Sequence, residues 1–112
     1  MKKFILKFDA INEPDFLAIK DGLKIVETRA ASPKYREVKK GDVLVIVCGK
    51  QRLEKRVKRV RVFSSIGAMV KVIPRHKIGP SLKSMAELRQ MYYSYPNYRE
   101  KLKKYGVIAF DI

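Results

Sequence analysis

Five segments of the chain carry the patterns of β-strands. Apolar side chains recur at every second position in residues 3–8 and 107–112, as in a strand with one buried face. Residues 43–48 are apolar throughout, which indicates a central strand covered on both faces. Residues 23–29 and 56–63 are predicted to form two further strands.

A periodicity of three to four residues predicts helices between these strands. Asn12 can cap a helix over residues 13–21, and Gly22 is suited to end it. Residues 82–94 carry an apolar side chain at every third or fourth position, which is the strongest helical pattern of the chain. Residues 66–73 favour a short helix, with a strand as the alternative because glycine and β-branched residues are frequent there.

The elements together indicate the α+β class. Residues 30–40 and 75–80 are predicted to be loops, and residues 99–104 a further turn. Val57 has the wrong parity for the fourth predicted strand, and we expect it at a bulge or pointing outward. Five to six mostly short strands with two to three helices suggest a small curved sheet or a partly closed β-barrel. No repeat or linker divides residues 1–112, so a single domain is expected.

The composition excludes several classes of protein. Cys48 is the sole cysteine and His76 the sole histidine, so neither an internal disulfide nor a metal site is expected, and no cofactor is implied. Cys48 itself is expected to be a buried, small apolar residue. The longest apolar run, residues 43–48, is far shorter than the roughly 20 residues of a membrane-spanning helix. Lys7 interrupts the apolar start of the chain, unlike a secretion signal, so we expect a cytoplasmic protein that contacts no membrane.

The chain is strongly basic, and the excess charge lies in its later part. Lys and Arg number 26 against 11 Asp and Glu, which gives a formal net charge of +15. Residues 1–29 are nearly balanced, whereas residues 50–61 hold seven basic side chains and one acidic side chain. Such a stretch predicts a polyanion, and above all a nucleic acid, as the partner. A solvated surface like that of heat-adapted proteins is the competing interpretation.

Basic and aromatic side chains from several segments are candidate contacts to this nucleic acid. Arg59 and Arg61 share one face of the fourth predicted strand, from which they can follow a phosphate backbone. Tyr98 is free to stack on a base, whereas Tyr92 and Tyr95 lie on the apolar stripe of a helix and are expected in the core. The candidates of this kind are Lys34, Arg36, Lys58, Arg59, Arg61, Arg75 and Tyr98.

The densest polar cluster on an otherwise apolar element is Gly22-x-Lys24-x-x-Glu27-x-Arg29, at the exit of the first predicted helix. Glu27 and Arg29 are two positions apart and project from the same face of a strand. Lys24 has the opposite parity, but it reaches the same face when it belongs to the preceding turn. The three side chains then place an ammonium, a carboxylate and a guanidinium around one cleft. A surface ion-pair ladder on an edge strand is the alternative.

This octapeptide resembles a motif of the ASCH domain family, a branch of the PUA-like barrel superfamily. Gly41-Asp42 before an apolar strand and the closing segment 105–110 are also similar to that family, and the likeness covers essentially the whole chain. The resemblance implies a small PUA-like β-barrel whose cleft beside the motif holds RNA or a nucleotide-like ligand. DNA is the alternative nucleic-acid partner. It implies that Lys24 meets a phosphate or a base carbonyl, that Glu27 accepts hydrogen bonds from a base or positions the cations, and that Arg29 pairs or stacks.

Two other functions remain open from the same resemblance. One branch of the family hydrolyses acetylated cytidine with a threonine three residues after the lysine, a position that is Glu27 here. A hydrolase acting on a modified nucleoside or RNA, with Lys24 and Glu27 as acid and base, is therefore the first alternative. Thr28 is expected on the opposite strand face, and the downstream catalytic glutamate of that branch has no counterpart. A DNA-binding or protein-binding module like those of transcription coactivators is the second alternative.

Overall fold

A computed structural model describes all residues from Met1 to Ile112. A short 3-10 turn, Ala10–Asn12, precedes the first helix. The longest helix of the protein has nine residues, so none of the helices could span a membrane. The elements in chain order are β1 (Lys3–Phe8), α1 (Glu13–Lys20), β2 (Val26–Ala30), α2 (Pro33–Arg36), β3 (Val43–Cys48), β4 (Gln51–Arg56), β5 (Arg59–Phe63), α3 (Ile66–Val70), α4 (Arg75–Ile78), α5 (Met85–Tyr93), α6 (Tyr98–Tyr105) and β6 (Val107–Asp111).

The strands form two separate three-stranded sheets. In the first sheet, β3 lies between β1, which is parallel to it, and β4, which is antiparallel. In the second sheet, β6 lies between β2 and β5, and all pairs are antiparallel. The α+β class is therefore confirmed, but the expected barrel is wrong. No ladder of hydrogen bonds joins a strand of one sheet to a strand of the other, so the sheets do not close on each other.

The chain passes from the first sheet to the second at Val57. The predicted strand 56–63 corresponds to β5, which begins only at Arg59, because Arg56 is the last residue of β4 and the corner separates the two strands. Val57 is 1% exposed, so it does not point outward, and it lies opposite two residues, Gly41 and Asp42, as at a β-bulge with glycine in the left-handed conformation. Its N–H donates to the carbonyl of Asp42 at 2.8 Å, and its carbonyl accepts from the N–H of Gly41 at 2.8 Å. The backbone N–H of the next residue, Lys58, already donates to the backbone carbonyl of Asp111 in the second sheet, at 2.7 Å.

β6, the central strand of the second sheet, is buried on both faces because it contributes to two hydrophobic cores. Ile108 and Phe110 pack with α1 and the inner face of β3, whereas Val107 and Ala109 pack with α3, α5 and α6. Within β3 every residue except Val47 is buried, as the continuous apolar run predicted. The site described below lies at the outer edge of β2, beside the join between these two cores.

The protein contains more helix than expected. Six helices replace the predicted two to three, because α2 and α4 lie in segments that were predicted to be loops and α6 extends the predicted turn. The helical interpretation of residues 66–73 is correct for its first turn, which α3 forms. In both α3 and α5 a serine side chain accepts the N–H three residues later, from Ala68 at 3.0 Å and from Glu87 at 3.1 Å. These caps explain why α5 begins at Met85 rather than at residue 82.

Asp42 ties the start of β1 to the loop before β3. Its Oδ1 accepts the N–H of Lys2 and its Oδ2 that of Lys39, both at 2.9 Å. The bond from Lys2, followed by that from Lys39, lowers the pKa of Asp42 below its ordinary value of 3.8. Because the folded protein favours the carboxylate, this stabilisation is present above pH 3.8 and is lost as the pH falls through the lowered pKa.

We expect Asp42→Ala to lower the urea midpoint of unfolding at neutral pH, since two N–H groups lose their acceptor. The difference from the wild type should shrink as the pH falls below 3.8. Asp21→Ala, at an exposed aspartate, is the matched control and should change stability by less than about 0.5 kcal/mol. An equal pH dependence of the two variants would contradict the assignment.

Candidate functional site

Gly22 sets the geometry of the motif by ending α1. Its φ of +77° is in the left-handed region, and its N–H donates to the carbonyl of Ile19 at 3.1 Å. The N–H groups of Leu23 and Lys24 both donate to the carbonyl of Ala18, at 2.9 and 3.0 Å. The bonds from Gly22 to Ile19 and from Leu23 to Ala18 are the two hydrogen bonds of a Schellman helix end, for which glycine is preferred at the position of Gly22. The turn reverses the chain and places Lys24 immediately before β2.

Lys24 is a buried cation held by backbone carbonyls. Its side chain belongs to the turn rather than to the strand, and the residue is 6% exposed. Its Nζ donates to the carbonyl of Val26 at 2.9 Å and also to the carbonyl of Ile78, at the end of α4. An ammonium group has three N–H donors, so one remains for the cavity that this side chain lines.

Glu27 is a buried carboxylate with one oxygen that makes no hydrogen bond. The residue is 5% exposed, and its Oε1 accepts the N–H of Thr28 at 2.8 Å. The other oxygen, Oε2, has no hydrogen-bond partner, and its nearest cation, Nη2 of Arg29, is 3.9 Å away. At that distance the two groups form an ion pair, but they are too far apart for a hydrogen bond. A buried polar atom without a partner costs about 1–3 kcal/mol, so it marks a place where a ligand is able to bind.

Arg29 is the second cation beside Glu27. Its guanidinium lies 5.4 Å from the centre of the Phe8 ring, within the range of a cation–π contact, and its Nε is buried without a hydrogen bond. Burial acts to lower the pKa of Arg29, but the carboxylate of Glu27 and, more weakly, nearby tyrosines outweigh it and raise the pKa. Arg29 therefore stays charged beside Glu27.

These side chains line one small cavity, which we call the motif cavity. Its volume is about 110 Å³, and it lies between the end of β1, the start of α1, the outer edge of β2 and the α5–α6 corner. The lining residues are Lys7, Phe8, Asp9, Asn12, Asp15, Lys24, Glu27, Thr28, Arg29, Met91, Tyr92, Tyr95 and Tyr98. The cavity has a highly polar wall, with three acidic and three basic side chains.

The free edge of β2 forms one wall of the motif cavity. Ile25 and Ala31 hydrogen-bond to Ile112 and Gly106, the residues on either side of β6. In this register the backbone groups of residues 26, 28 and 30 point away from β6. Side chains occupy three of these groups: Lys24 binds the carbonyl of residue 26, Glu27 the N–H of residue 28, and Tyr98 the N–H of residue 30 at 3.3 Å. The motif therefore covers a strand edge that would otherwise be open to pairing.

Asp15 is a cavity residue that sequence reasoning missed. It projects from the first turn of α1, where an acidic residue is common and gives no functional signal. Burial raises the pKa of Asp15 above its ordinary value of 3.8, and the nearby Lys24 opposes that rise only in part. The cavity thus pairs a carboxyl group that is more easily protonated with the carboxylate of Glu27.

Tyrosines form the wall opposite β2. The Tyr92 hydroxyl and Thr28 Oγ1 share a hydrogen bond, and burial raises the pKa of Tyr92. Burial also raises the pKa of Tyr95 to about 12, so both hydroxyls remain protonated. Tyr95 packs edge to face against Tyr98, with ring centres 5.1 Å apart. Tyr92 is a core residue, as predicted, whereas Tyr95 is half-buried and borders both the core and the cavity.

The ASCH domain family model matches residues 10–112. The chain belongs to the ASCH domain family. Among solved structures, this ASCH domain is similar to the crystal structure of the hypothetical protein PH0355, with 32% identity and a TM-score of 0.85 over 97% of this chain and 95% of that chain. It is also similar to the solution NMR structure of protein PF0455 from Pyrococcus furiosus, with 33% identity and a TM-score of 0.77 over 97% of this chain and 94% of that chain. No curated protein matches the chain.

Two of the arginines that were predicted to bind nucleic acid hold the backbone of the ASCH domain. Arg36 donates to the carbonyl of Ala31 at 2.6 Å and to that of Tyr105 at 3.0 Å. Arg75 donates to the carbonyls of Leu82 and Lys83, at 3.1 and 3.0 Å. These bonds fix α2 against the end of α6 and fix the segment before α5.

The other four basic residues that were predicted to bind nucleic acid do not lie at the motif cavity. Lys34 is exposed, with its ammonium 5.3 Å from the centre of the Tyr35 ring. Lys58, Arg59 and Arg61 line a second, separate cleft. The α2 segment that carries Lys34 is bound to the end of α6, just before β6 begins, whereas this second cleft is at the end of β6. The structure therefore brings Lys24, Glu27, Arg29 and Tyr98 together and leaves the other candidates apart from them.

No group of three or more His, Cys, Asp or Glu side chains is placed to hold a metal ion. Cys48, on β3, is buried, as predicted for a small apolar residue.

Proposed function

We propose that this ASCH domain binds RNA in the cytoplasm and holds one base in the motif cavity. The observation that carries the proposal is the buried Oε2 of Glu27, which makes no hydrogen bond although Arg29 lies 3.9 Å away and the buried Lys24 lines the same cavity. The edge of a nucleobase presents N–H donors next to carbonyl acceptors. Such an edge satisfies both sides of the site, because Glu27 accepts from a base N–H and the free donor of Lys24 serves a base carbonyl.

The size of the motif cavity supports recognition of a single flat group. Its volume of about 110 Å³ is well below the roughly 300–1,000 Å³ of sites that enclose a complete small ligand. One ring can enter while the sugar and phosphates stay outside. Tyr98 and the neighbouring Tyr95 offer aromatic surfaces at this position.

The requirement for an accessible base favours RNA over duplex DNA. Single-stranded loops and ends of RNA offer unstacked bases, whereas a duplex must first extrude one at a cost of a few kcal/mol. The net charge of +15 attracts either backbone and sets the overall affinity. Selectivity is then expected to reside in the motif cavity and affinity in the surface charge.

Glu27→Gln should reduce discrimination between nucleic acids while leaving most of the affinity. An amide that keeps one acceptor but adds a donor mismatches the base edge, and loss of one bidentate contact is worth about 1–3 kcal/mol, or roughly tenfold to a hundredfold. The measurement is fluorescence anisotropy with a structured RNA, a single-stranded RNA and a DNA duplex over a salt series. Glu54→Gln, at an exposed glutamate on β4, removes the same charge and should preserve the discrimination.

Three results would contradict the proposal. Equal binding of all three nucleic acids by the wild type, abolished by modest salt, would mean that the net charge acts only as a non-specific attractant. A preference for the DNA duplex would assign the domain to DNA. Equal effects of the two glutamate variants would show that Glu27 is not a recognition residue.

Hydrolysis of a modified nucleoside is the second candidate function. Asp15, with its raised pKa, shares the motif cavity with Glu27 and Lys24, and such a pair of unlike carboxyl groups is able to act as acid and base. Thr28 also lines the motif cavity, but its hydroxyl is engaged in a hydrogen bond with the hydroxyl of Tyr92, so we do not assign it a nucleophilic role. Release of product from a panel of acylated nucleosides, lost in Glu27→Gln and in Asp15→Asn, would support this function.

A further inference from the structure

A second cleft lies where β2 and β5 begin and β6 ends, and we call it the basic cleft. Its volume is about 300 Å³, which reaches the range of sites that enclose a small ligand. Four cations line it: Lys58, Arg59, Arg61 and Lys77. They come from β5, the residue before it, and α4, so that separate parts of the chain converge on one concave surface.

One carboxylate balances these four cations. Asp111 binds Arg59 Nε at 3.1 Å and Arg61 Nη2 at 2.8 Å. Lys58 and Lys77 form no ion pair. The Arg61 side chain is 20% exposed, and its buried Nε makes no hydrogen bond. Asp111 therefore orients the two guanidiniums, and the cleft retains a positive field suited to an anion.

The other side of the basic cleft is apolar and open to solvent. Ile25 is 39% exposed and Val72 is 58% exposed, and both line the cleft beside Ile73 and Pro74. A bare inorganic anion would make no favourable contact with this exposed aliphatic surface. A ligand with a phosphate at one end and a flat, weakly polar body at the other end fits both halves, and this is the chemistry of a nucleotide.

The two sites lie on opposite sides of one backbone segment. Lys24 lines the motif cavity and binds the carbonyl of Ile78, whereas the next residue, Ile25, lines the basic cleft and donates to the carbonyl of Lys77 at 3.3 Å. No residue lines both sites. A strand that places one base beside Lys24 therefore has a second, separate binding position close by.

We infer that the basic cleft binds a second nucleotide of the RNA, with its phosphate at Lys58, Arg59 and Lys77 and its sugar or base against Ile25 and Val72. The inference rests on the proposed RNA binding in taking the occupant to be part of the same strand. The site itself can be tested with a mononucleotide alone.

The first experiment is an NMR titration of the whole chain with 5′-AMP and, separately, with adenosine. We expect 5′-AMP to shift the amide signals of Ile25, Arg59 and Lys77 in a saturable way. Adenosine, which lacks the phosphate, should bind at least tenfold more weakly. Shifts confined to the residues of the motif cavity, or equal binding of the two compounds, would overturn the inference.

The second experiment removes two cations from the basic cleft with Lys58→Ala and Lys77→Ala in one chain. We expect at least a tenfold loss of 5′-AMP affinity and a decrease of about 0.7 in the salt slope of single-stranded RNA binding, the value of one phosphate contact. Lys20→Ala with Lys40→Ala removes the same charge at exposed positions outside both sites and should affect 5′-AMP less than twofold. Equal effects of the two double variants would overturn the inference.

The failures of the two proposals are distinguishable. RNA binding that is sensitive to Glu27→Gln but unaffected by loss of Lys58 and Lys77 would overturn the second site and leave the motif cavity. Phosphate-dependent binding of 5′-AMP in the basic cleft, without any binding of RNA, would support the nucleotide site while it overturned the proposed function and the assignment of the occupant to an RNA strand.

Discussion

Replacing Gly106 by alanine is expected to lower the free energy of unfolding by about 3 kcal/mol or more, the largest effect of a single methyl group in this protein. Gly106 has φ +78° and ψ −163°, a conformation that is essentially restricted to glycine and costs other residues about 1–3 kcal/mol. A Cβ added there would lie 2.3 Å from the carbonyl oxygen of Phe63. Because that neighbour is backbone rather than a flexible side chain, β5 or β6 must move, at a further cost of about 1–3 kcal/mol.

The position of Gly106 explains why the strain spreads. Its N–H ends α6 by donating to Leu102 at 2.8 Å, and its carbonyl accepts the N–H of Ala31 at 2.9 Å. The next residue begins β6, the central strand of the second sheet, whose alternate residues belong to the two hydrophobic cores. A displacement here is therefore felt in both cores.

The measurement is urea unfolding followed by circular dichroism, with Gly22→Ala as the matched control. Gly22 has nearly the same φ, +77°, but an added Cβ would meet nothing within 4 Å. Its substitution should cost only the left-handed conformation, about 1–2 kcal/mol. Equal costs at the two positions would show that the contact with Phe63 is relieved by small movements, and would contradict the expected clash.

The strands that were predicted well are those whose apolar pattern is dictated by burial. β1 and β3 match the predicted bounds 3–8 and 43–48, since the hydrophobic period of a strand records which side faces the core. β4 was missed because its half-buried face consists of Gln51, Leu53 and Lys55. Long polar side chains can bury their aliphatic stems while they keep their polar ends in water, so the burial leaves no apolar period.

The motif was visible in the sequence, but the cavity around it was not. Lys24, Glu27 and Arg29 are close in the chain, so a turn followed by a strand was enough to bring them together. Asp15 reaches the same cavity only through the packing of α1, and the carbonyl of Ile78 reaches Lys24 from 54 residues away. A backbone carbonyl has no sequence signature, and neither does the helix packing that delivers a common surface aspartate to a buried site.

Lys24→Met is the second substitution with a large expected effect, a loss of about 3 kcal/mol or more in the free energy of unfolding. Methionine keeps much of the apolar stem but removes the donor to the two buried carbonyls of Val26 and Ile78. Each carbonyl left without a donor lowers the stability of the fold by about 1–3 kcal/mol. The change also leaves the motif cavity with three acidic side chains and two cations, which adds an electrostatic cost.

Lys20→Met, at an exposed position of α1, is the control and should change stability by less than about 0.5 kcal/mol. The double variant Lys24→Met with Glu27→Gln separates the two contributions, since it removes the unpaired charge but leaves the two carbonyls without a donor. We expect this double variant to recover part of the stability that Lys24→Met loses.

If Lys24→Met cost less than about 1 kcal/mol, the two carbonyl bonds would add little to stability, and the buried ammonium would have to be explained by ligand binding alone. If Lys24→Met cost as much as expected, Lys24 would stabilise the fold with two of its donors and serve the cavity with the third. Any loss of RNA binding by this variant would then be compared with the loss in Glu27→Gln, which leaves both carbonyl bonds in place.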